Sequence, residues 1–155
     1  MKRALIIKIG AIGDAVMALP LLPALKAQGF DQITWVSGKD IVQVLSLVPE
    51  ISNNIVIDER TLFGSNKFKA VIQVLKTWWS MRKVSADVVF LLHADSRYKL
   101  LIPPWLISAE RRLVRARTQR HHSFDYERLA FPEAEDRELG VTPYTYRGRP
   151  NIVRE

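Results

Sequence analysis

The 155-residue chain contains no cysteine. This absence excludes a disulfide framework, a thiolate nucleophile and a metal site built on cysteine ligands, and it is typical of a cytosolic protein. Long hydrophobic runs are also missing, because no apolar segment approaches the roughly 20 residues that span a bilayer. We therefore expect a cytoplasmic protein, with a peripheral contact to a membrane surface as the one membrane option.

The N-terminus looks like a signal peptide at first, because Met1, Lys2 and Arg3 precede apolar residues. Lys8 and Asp14 interrupt the apolar run, however. Its longest uninterrupted part follows an acid instead of a basic flank. We therefore interpret this segment as part of the mature domain.

Acidic residues are scarce in one part of a chain whose formal net charge is +7. Between residues 97 and 120 a single acid, Glu110, accompanies seven basic residues: Arg97, Lys99, Arg111, Arg112, Arg115, Arg117 and Arg120. Such a run is either a solvated face or a site for an anionic partner. The candidate partners are a phosphorylated glycolipid, a membrane surface and nucleic acid.

Short apolar segments rich in valine and isoleucine alternate with segments of helical period. Strands are expected at residues 4–9, 32–37, 54–57, 87–92 and 112–115. Helices are expected at residues 15–28, 40–47, 68–84, 97–107 and 123–130. This alternation predicts an α/β, Rossmann-like three-layer domain with a mainly parallel sheet. We expect the domain to cover residues 1–131, and residues 132–155 to form a polar tail or the start of a linker.

Three of the expected helices carry features of their own. Pro20 and Pro23 predict a kink or a late start in the first. The helix at residues 68–84 has an apolar face, which predicts core packing. That face consists of Phe68, Val71, Ile72, Leu75 and Trp78 or Trp79. Residues 100–107 are apolar between basic flanks, so they form either a buried element or, through Trp105, a contact with a membrane interface.

Two glycines and an acid, Gly10, Gly13 and Asp14, follow the first expected strand. Ligands of open parallel sheets bind at the carboxyl ends of strands, where glycine permits positive φ and close approach of a substrate. The G-x-x-G-D pattern matches neither the dinucleotide nor the Walker fingerprint. Asp14 is either the N-cap of a helix beginning at residue 15 or a catalytic carboxylate.

The histidines are less informative than this loop. His93 ends the fourth expected strand, which places it near the cleft, although a lone histidine is more often structural. His121 and His122 are interpreted as a surface pair, because no carboxylate spacing supports a metal site. We expect neither a metal nor a cofactor.

The segment ALIIKIGAIGDAVMALPLLPAL, residues 4–25, resembles the N-terminus of glycosyltransferase family nine, the bacterial heptosyltransferases of lipopolysaccharide core assembly. Looser similarity extends through ITWVSGKDIVQVLSLVPEI, ADVVFLLHADSRYKLL, ERRLVRAR and HHSFDYERLA. The resemblance implies the N-terminal half of a GT-B glycosyltransferase. In that family this half holds the acceptor sugar, and a second Rossmann-like domain holds the ADP-sugar.

The resemblance also implies roles for individual residues. Asp14 matches the aspartate taken as the catalytic base. The acceptor, an anionic glycolipid, is expected to contact the first loop and the basic run through Gly10, Gly13, Arg97, Lys99, Arg117 and Arg120. The donor domain would be missing from this chain and supplied in cis or in trans, so the chain alone is expected to be inactive. The alternative is a standalone basic module that binds anionic glycolipid or nucleic acid without catalysis. Nucleic acid is disfavoured, because the sequence has no recognised nucleic-acid motif.

Overall fold

The structure is a computed structural model that describes residues 1–62, 64, 67–114 and 122–132. Within these residues five strands form one sheet in which neighbouring strands are all parallel. They are β1 Lys2–Ile7, β2 Phe30–Gly38, β3 Asn53–Ile57, β4 Val88–Leu91 and β5 Glu110–Leu113. The spatial order is β3-β2-β1-β4-β5, so the chain starts in the centre of the sheet and changes direction after β3. The parallel sheet predicted from the sequence is confirmed.

The described helices are α1 Ile12–Ala18, α2 Leu21–Ala27, α3 Val42–Ser46, α4 Glu59–Leu62, α5 Lys67–Ser80 and α6 His122–Ala130. They form two layers, because the side chains of β1 alternate between two hydrophobic cores. Ala4 and Ile6 pack with α1, α2, α3 and α6 on one face of the sheet. Leu5 and Ile7 pack on the other face with the layer that contains α4 and α5. The three-layer α/β architecture is therefore the one that the sequence predicts.

The first helix departs from its expected bounds. It begins at Ile12 instead of residue 15, and it ends at Ala18, where Leu19 and Pro20 separate it from α2. Pro20 is the N-cap of α2 with φ −57°. Pro23 lies in the first turn of α2, where a backbone N–H has no partner within the helix. Both prolines are thus accommodated by a break in the helix, and Gly29 ends α2 with φ 81°.

The prediction that the apolar face of α5 packs into the core is wrong. Phe68, Leu75 and Trp79 are 73%, 53% and 69% exposed, so this face does not pack into the core. The helix is held from its other side, where Val74 and Trp78 pack against the second core. Periodicity identified an apolar face but could not show which way it points.

The expected helix at residues 97–107 is replaced by two 3-10 turns, Ser96–Leu101 and Pro104–Leu106. Consecutive prolines at 103 and 104 prevent a continuous helix here. Leu101, Ile102 and Leu106 are buried, whereas Leu100, Trp105 and Ile107 are exposed. The segment is therefore anchored in the core, with apolar side chains left on the surface.

Candidate active site

Lys8, which follows β1, forms the first part of the site. Its backbone is fixed on both sides, because Lys8 N donates to Val36 O at 3.1 Å and Trp35 Nε1 donates to Lys8 O at 3.0 Å. The side chain is only 5% exposed, and its Nζ lies 2.9 Å from Asp14 Oδ2. From the sequence, Lys8 was recognised only as an interruption of an apolar run. One signal for its pairing with Asp14 was available. Lys8 is a basic residue at the carboxyl end of a buried strand, six positions before that acid.

Asp14 is not an N-cap, so that interpretation is wrong. It lies in the first turn of α1, and Ala11 occupies the N-cap position with no side-chain hydrogen bond. The Asp14 side chain is 28% exposed and is held by the buried lysine. An acid in the first helical turn is also favoured by the helix dipole. The structure therefore holds Asp14 beside an ammonium group and partly open to a ligand at the carboxyl edge of the sheet.

His93 and Tyr98 brace the loop between β1 and α1. Ile9 N donates to His93 Nε2 at 3.0 Å, so this nitrogen is an acceptor and the neutral ring carries its proton on Nδ1. The His93 ring stacks on the Tyr98 ring with centroids 3.7 Å apart and planes 4° from parallel. His93 thus has the structural role considered from the sequence, and it also lies in the cleft.

Glu59 completes this brace. Tyr98 Oη donates to Glu59 Oε1 at 2.7 Å. Burial and the hydrogen bond to Glu59 both raise the pKa of Tyr98, so the phenol remains a donor at neutral pH. A Cβ placed on Gly10 would lie 2.9 Å from Glu59 Oε2, which explains why glycine fits there. Neither Glu59 nor Tyr98 was singled out from the sequence.

Gly10 and Gly13 do not supply the positive φ that the sequence analysis expected. Ala11, between them, has the left-handed φ of 53°. Apart from the adjoining residues and the backbone of its own helix, no atom of the described residues lies within 4 Å of a Cβ built on Gly13. Packing in the described part of the chain therefore does not require glycine at position 13, whereas close approach of a ligand would.

The cleft lies where β1 and β4 end, on either side of the point at which the strand order changes direction. Its polar lining comes from Lys8, Asp14, His93, Asp95, Tyr98 and Tyr126. This is the usual place for ligands in open parallel sheets. Two carboxylates, a buried ammonium, an imidazole and phenols therefore converge in one site.

The basic run from residue 97 is not one uniform anion-binding surface. Arg97 is hydrogen-bonded to Asp95 through its Nε at 2.8 Å, and this bond lowers the pKa of Asp95. Arg112 pairs with Glu110 at 2.7 Å and donates to the carbonyls of Leu129 and Ala130, so it joins β5 to α6. Lys99 is exposed on the turn that carries Tyr98. Arg115, Arg117 and Arg120 lie outside the described residues, as do residues 133–155.

Comparison with known proteins gives matches at the level of structure. No protein-family model matches the chain. No curated protein matches it significantly in sequence. A solved glycosyl transferase family 9 structure from Veillonella parvula DSM 2008 is similar with a TM-score of 0.64 and 22% identity, over 95% of this chain and 44% of that one.

Two Escherichia coli enzymes show the same likeness. ADP-heptose lps heptosyltransferase II matches with a TM-score of 0.66 and 16% identity, over 96% of this chain and 46% of that one. Heptosyltransferase WaaC with ADP-2-deoxy-2-fluoro heptose matches with a TM-score of 0.64 and 17% identity, over 93% of this chain and 49% of that one. The present chain spans about half the length of these proteins. The resemblance to glycosyltransferase family nine is thus confirmed in the fold, which is that of about half of a GT-B glycosyltransferase.

Proposed function

We propose that this chain is the acceptor-binding half of a glycosyltransferase and that Asp14 is its general base. The observation that carries the proposal is the pair formed by Asp14 and the buried Lys8, placed in a cleft at the carboxyl edge of a GT-B-like sheet. Lys8 fixes one carboxylate oxygen. Since a carboxylate offers about four lone-pair sites, it retains the capacity to accept a hydroxyl proton.

The proposed reaction transfers a heptose-like sugar from an ADP-sugar to a lipopolysaccharide core acceptor. The acceptor hydroxyl donates a hydrogen bond to Asp14, and its oxygen attacks the anomeric carbon of the donor. The new C–O bond forms as the bond to the diphosphate breaks, with inversion at that carbon. Asp14 takes the hydroxyl proton, and ADP leaves with the negative charge. Donor-side groups that stabilise this charge would belong to the second domain.

The size of the cleft supports an incomplete site. Among the described residues it encloses about 220 Å³. Pockets that hold a whole ligand are usually about 300–1,000 Å³. We propose that residues 1–131 form the acceptor domain and that a donor domain, in cis or in trans, closes the cleft.

The proposed acceptor is an anionic glycolipid. Gly13 allows it to approach the loop, Gly10 leaves room for Glu59 beside that loop, and Lys99 is an exposed cation on the adjacent turn. Arg97 would have to share its guanidinium with Asp95. Arg117 and Arg120 stay predictions for the same acceptor. Because such an acceptor is lipid-anchored, a cytoplasmic protein with peripheral membrane contact fits the proposal.

Titration of the chain separates this function from a basic binding module. The ligands are a phosphorylated lipopolysaccharide-core glycolipid, ADP and duplex DNA, each at physiological salt. We expect saturable binding of the glycolipid, weaker retention by DNA and no measurable affinity for ADP or an ADP-sugar. The chain alone should also show no sugar transfer.

A matched variant makes the titration specific for the cleft. Gly13→Phe fills the open space beside the first turn of α1, whereas Ala27→Phe introduces the same side chain on the exposed last residue of α2. The first should weaken glycolipid binding at least about tenfold, and the second should not. Tight ADP binding would show that the nucleotide site lies in this half and would contradict the proposal. DNA binding equal to glycolipid binding would favour the module.

A further inference from the structure

Helix α5 exposes an apolar face that lies outside both hydrophobic cores of the described residues. The exposed residues are Phe68, Val71, Ile72, Leu75 and Trp79. Ile72, Leu75 and Trp79 line a shallow depression on this face. The opposite side of α5 packs against the second core through Val74 and Trp78, so the exposed residues add little to the stability of the described fold.

The charged residues of α5 and of the turn after it have one sign. Residues 67–84 contain no aspartate or glutamate. They contain five basic residues: Lys67, Lys69, Lys76, Arg82 and Lys83. The Arg82 guanidinium lies over the Trp79 ring, 4.8 Å from its centroid. A helix with exposed Trp, Phe and Leu and a purely basic flank is typical of segments that lie in a membrane interface.

The apolar surface continues beyond α5. Trp78 Nε1 donates to Leu100 O at 3.0 Å, which joins α5 to the turn Ser96–Leu101. The Leu100 side chain is 64% exposed beside this contact. The same turn carries Tyr98, which lines the cleft. One short segment therefore connects the exposed face with the candidate site.

We propose that α5 docks on an anionic lipid surface, with its apolar face in the headgroup and acyl boundary and its basic residues on lipid phosphates. Charge decides between this occupant and a second copy of the chain. Self-association would bring two flanks with five cations and no acid together, whereas a lipid surface offers the complementary phosphates. None of the helices in the described ranges has the length and hydropathy to cross a membrane.

This inference deepens the proposed function, because a lipid-anchored acceptor would lie in the surface that α5 contacts. Lipid binding itself requires no transfer, however. Asp14→Asn should bind vesicles as the wild type does. If Asp14 is not the general base, vesicle binding through α5 should still be observed. If α5 does not bind vesicles, the role of Asp14 in transfer is still open to its own test.

The test is co-sedimentation of the chain with phosphatidylcholine vesicles that contain or lack phosphatidylglycerol. We expect binding only when phosphatidylglycerol is present, and weaker binding at higher salt. Leu75→Ser with Trp79→Ser should lower the affinity at least about tenfold, because buried apolar area drives insertion. Leu47→Ser is the control, since Leu47 is 52% exposed, as Leu75 is 53%, but follows α3 on the opposite face of the sheet.

A second pair of variants tests the charge. Lys76→Glu and Lys26→Glu change the net charge equally, but Lys26 is on α2, across the sheet from α5. Lys76→Glu should weaken vesicle binding at least about fivefold, and Lys26→Glu should weaken it less. Circular dichroism verifies that each variant is folded. Equal binding to neutral vesicles, equal effects of the paired variants, or a dimer lost in the Leu75 and Trp79 variant would overturn the proposal.

Discussion

Lys8 Nζ lies 2.9 Å from Asp14 Oδ2, and this contact joins the end of β1 to the first turn of α1. The lysine is buried, whereas the carboxylate reaches the cleft. A buried cation needs a partner, so the fold itself has a reason to hold Asp14 in this position. The pair therefore links the packing of the central strand to the group that we assign to proton transfer.

Lys8→Met should show whether Lys8 positions Asp14 or binds the acceptor. Methionine keeps most of the buried stem and removes the ammonium, so we expect the free energy of unfolding to change by less than about 2 kcal/mol. In a chain joined to a donor domain, kcat should fall about tenfold to a hundredfold with little change in acceptor KM, since Asp14 loses its fixed orientation. A raised KM with unchanged kcat would instead make Lys8 a binding residue.

Alanine substitutions at Gly10 and Gly13 should have opposite effects on stability. Gly13 lies in α1 without a positive φ, so Gly13→Ala should stabilise the fold by about 0.5–1 kcal/mol. Gly10→Ala should destabilise it, because the new Cβ would lie 2.9 Å from Glu59 Oε2 and disturb the bond to Tyr98.

Thermal unfolding with acceptor titration measures both effects. If Gly13 is kept for the ligand, Gly13→Ala should bind the glycolipid less tightly although it is more stable. Gly29→Ala is a useful reference, since its φ of 81° predicts destabilisation without any effect on the cleft. If Gly13→Ala binds the glycolipid as tightly as the wild type does, the acceptor does not contact position 13.

Glu127 on α6 should make stability depend on pH. It is 8% exposed, and within the described ranges its Oε2 has no hydrogen-bond partner. Burial raises the pKa of this carboxyl above its usual 4.5, so the native state favours the protonated form more than the unfolded chain does. The stability that protonated Glu127 contributes is therefore fully present below pH 4.5 and is lost as the pH rises through the native pKa.

Glu127→Gln should consequently stabilise the chain at pH 7, by roughly 1 kcal/mol, because the neutral amide avoids the burial of a charge. The gain should disappear near pH 4, where the native glutamic acid is already neutral. Urea unfolding at both pH values measures it, with the exposed Asp40→Asn as control. A gain that is equal at the two pH values would show that charge is not the cause.

The strands were predictable because each is a short apolar segment, and parallel pairing follows from helices between consecutive strands. The start of α1 was not predictable. Ala11 adopts a φ of 53°, which alanine rarely adopts, and the helix therefore begins three residues early, at Ile12. That shift converts Asp14 from an expected cap into a side chain held by Lys8.

The contacts that brace the cleft could not be predicted from the sequence either. Glu59 and Tyr98 meet across 39 positions, and Ile9 and His93 meet across 84. Such pairs depend on the order of strands in the sheet, which no local pattern specifies. The direction of the α5 face was missed for a related reason, because amphipathic spacing does not reveal what a helix packs against.

The most direct test of the catalytic assignment is the transfer rate of Asp14→Asn in this chain joined to a donor domain. Asparagine is nearly the same size and still accepts a hydrogen bond from Lys8, so acceptor binding should be retained. The buried ammonium loses its counter-charge, so the free energy of unfolding should fall, and circular dichroism at the assay temperature verifies that the variant is folded. The rate should fall about 10²- to 10⁴-fold, as expected for loss of a general base. Transfer at close to the wild-type rate, with the same acceptor affinity, would show that Asp14 serves only to pair with Lys8.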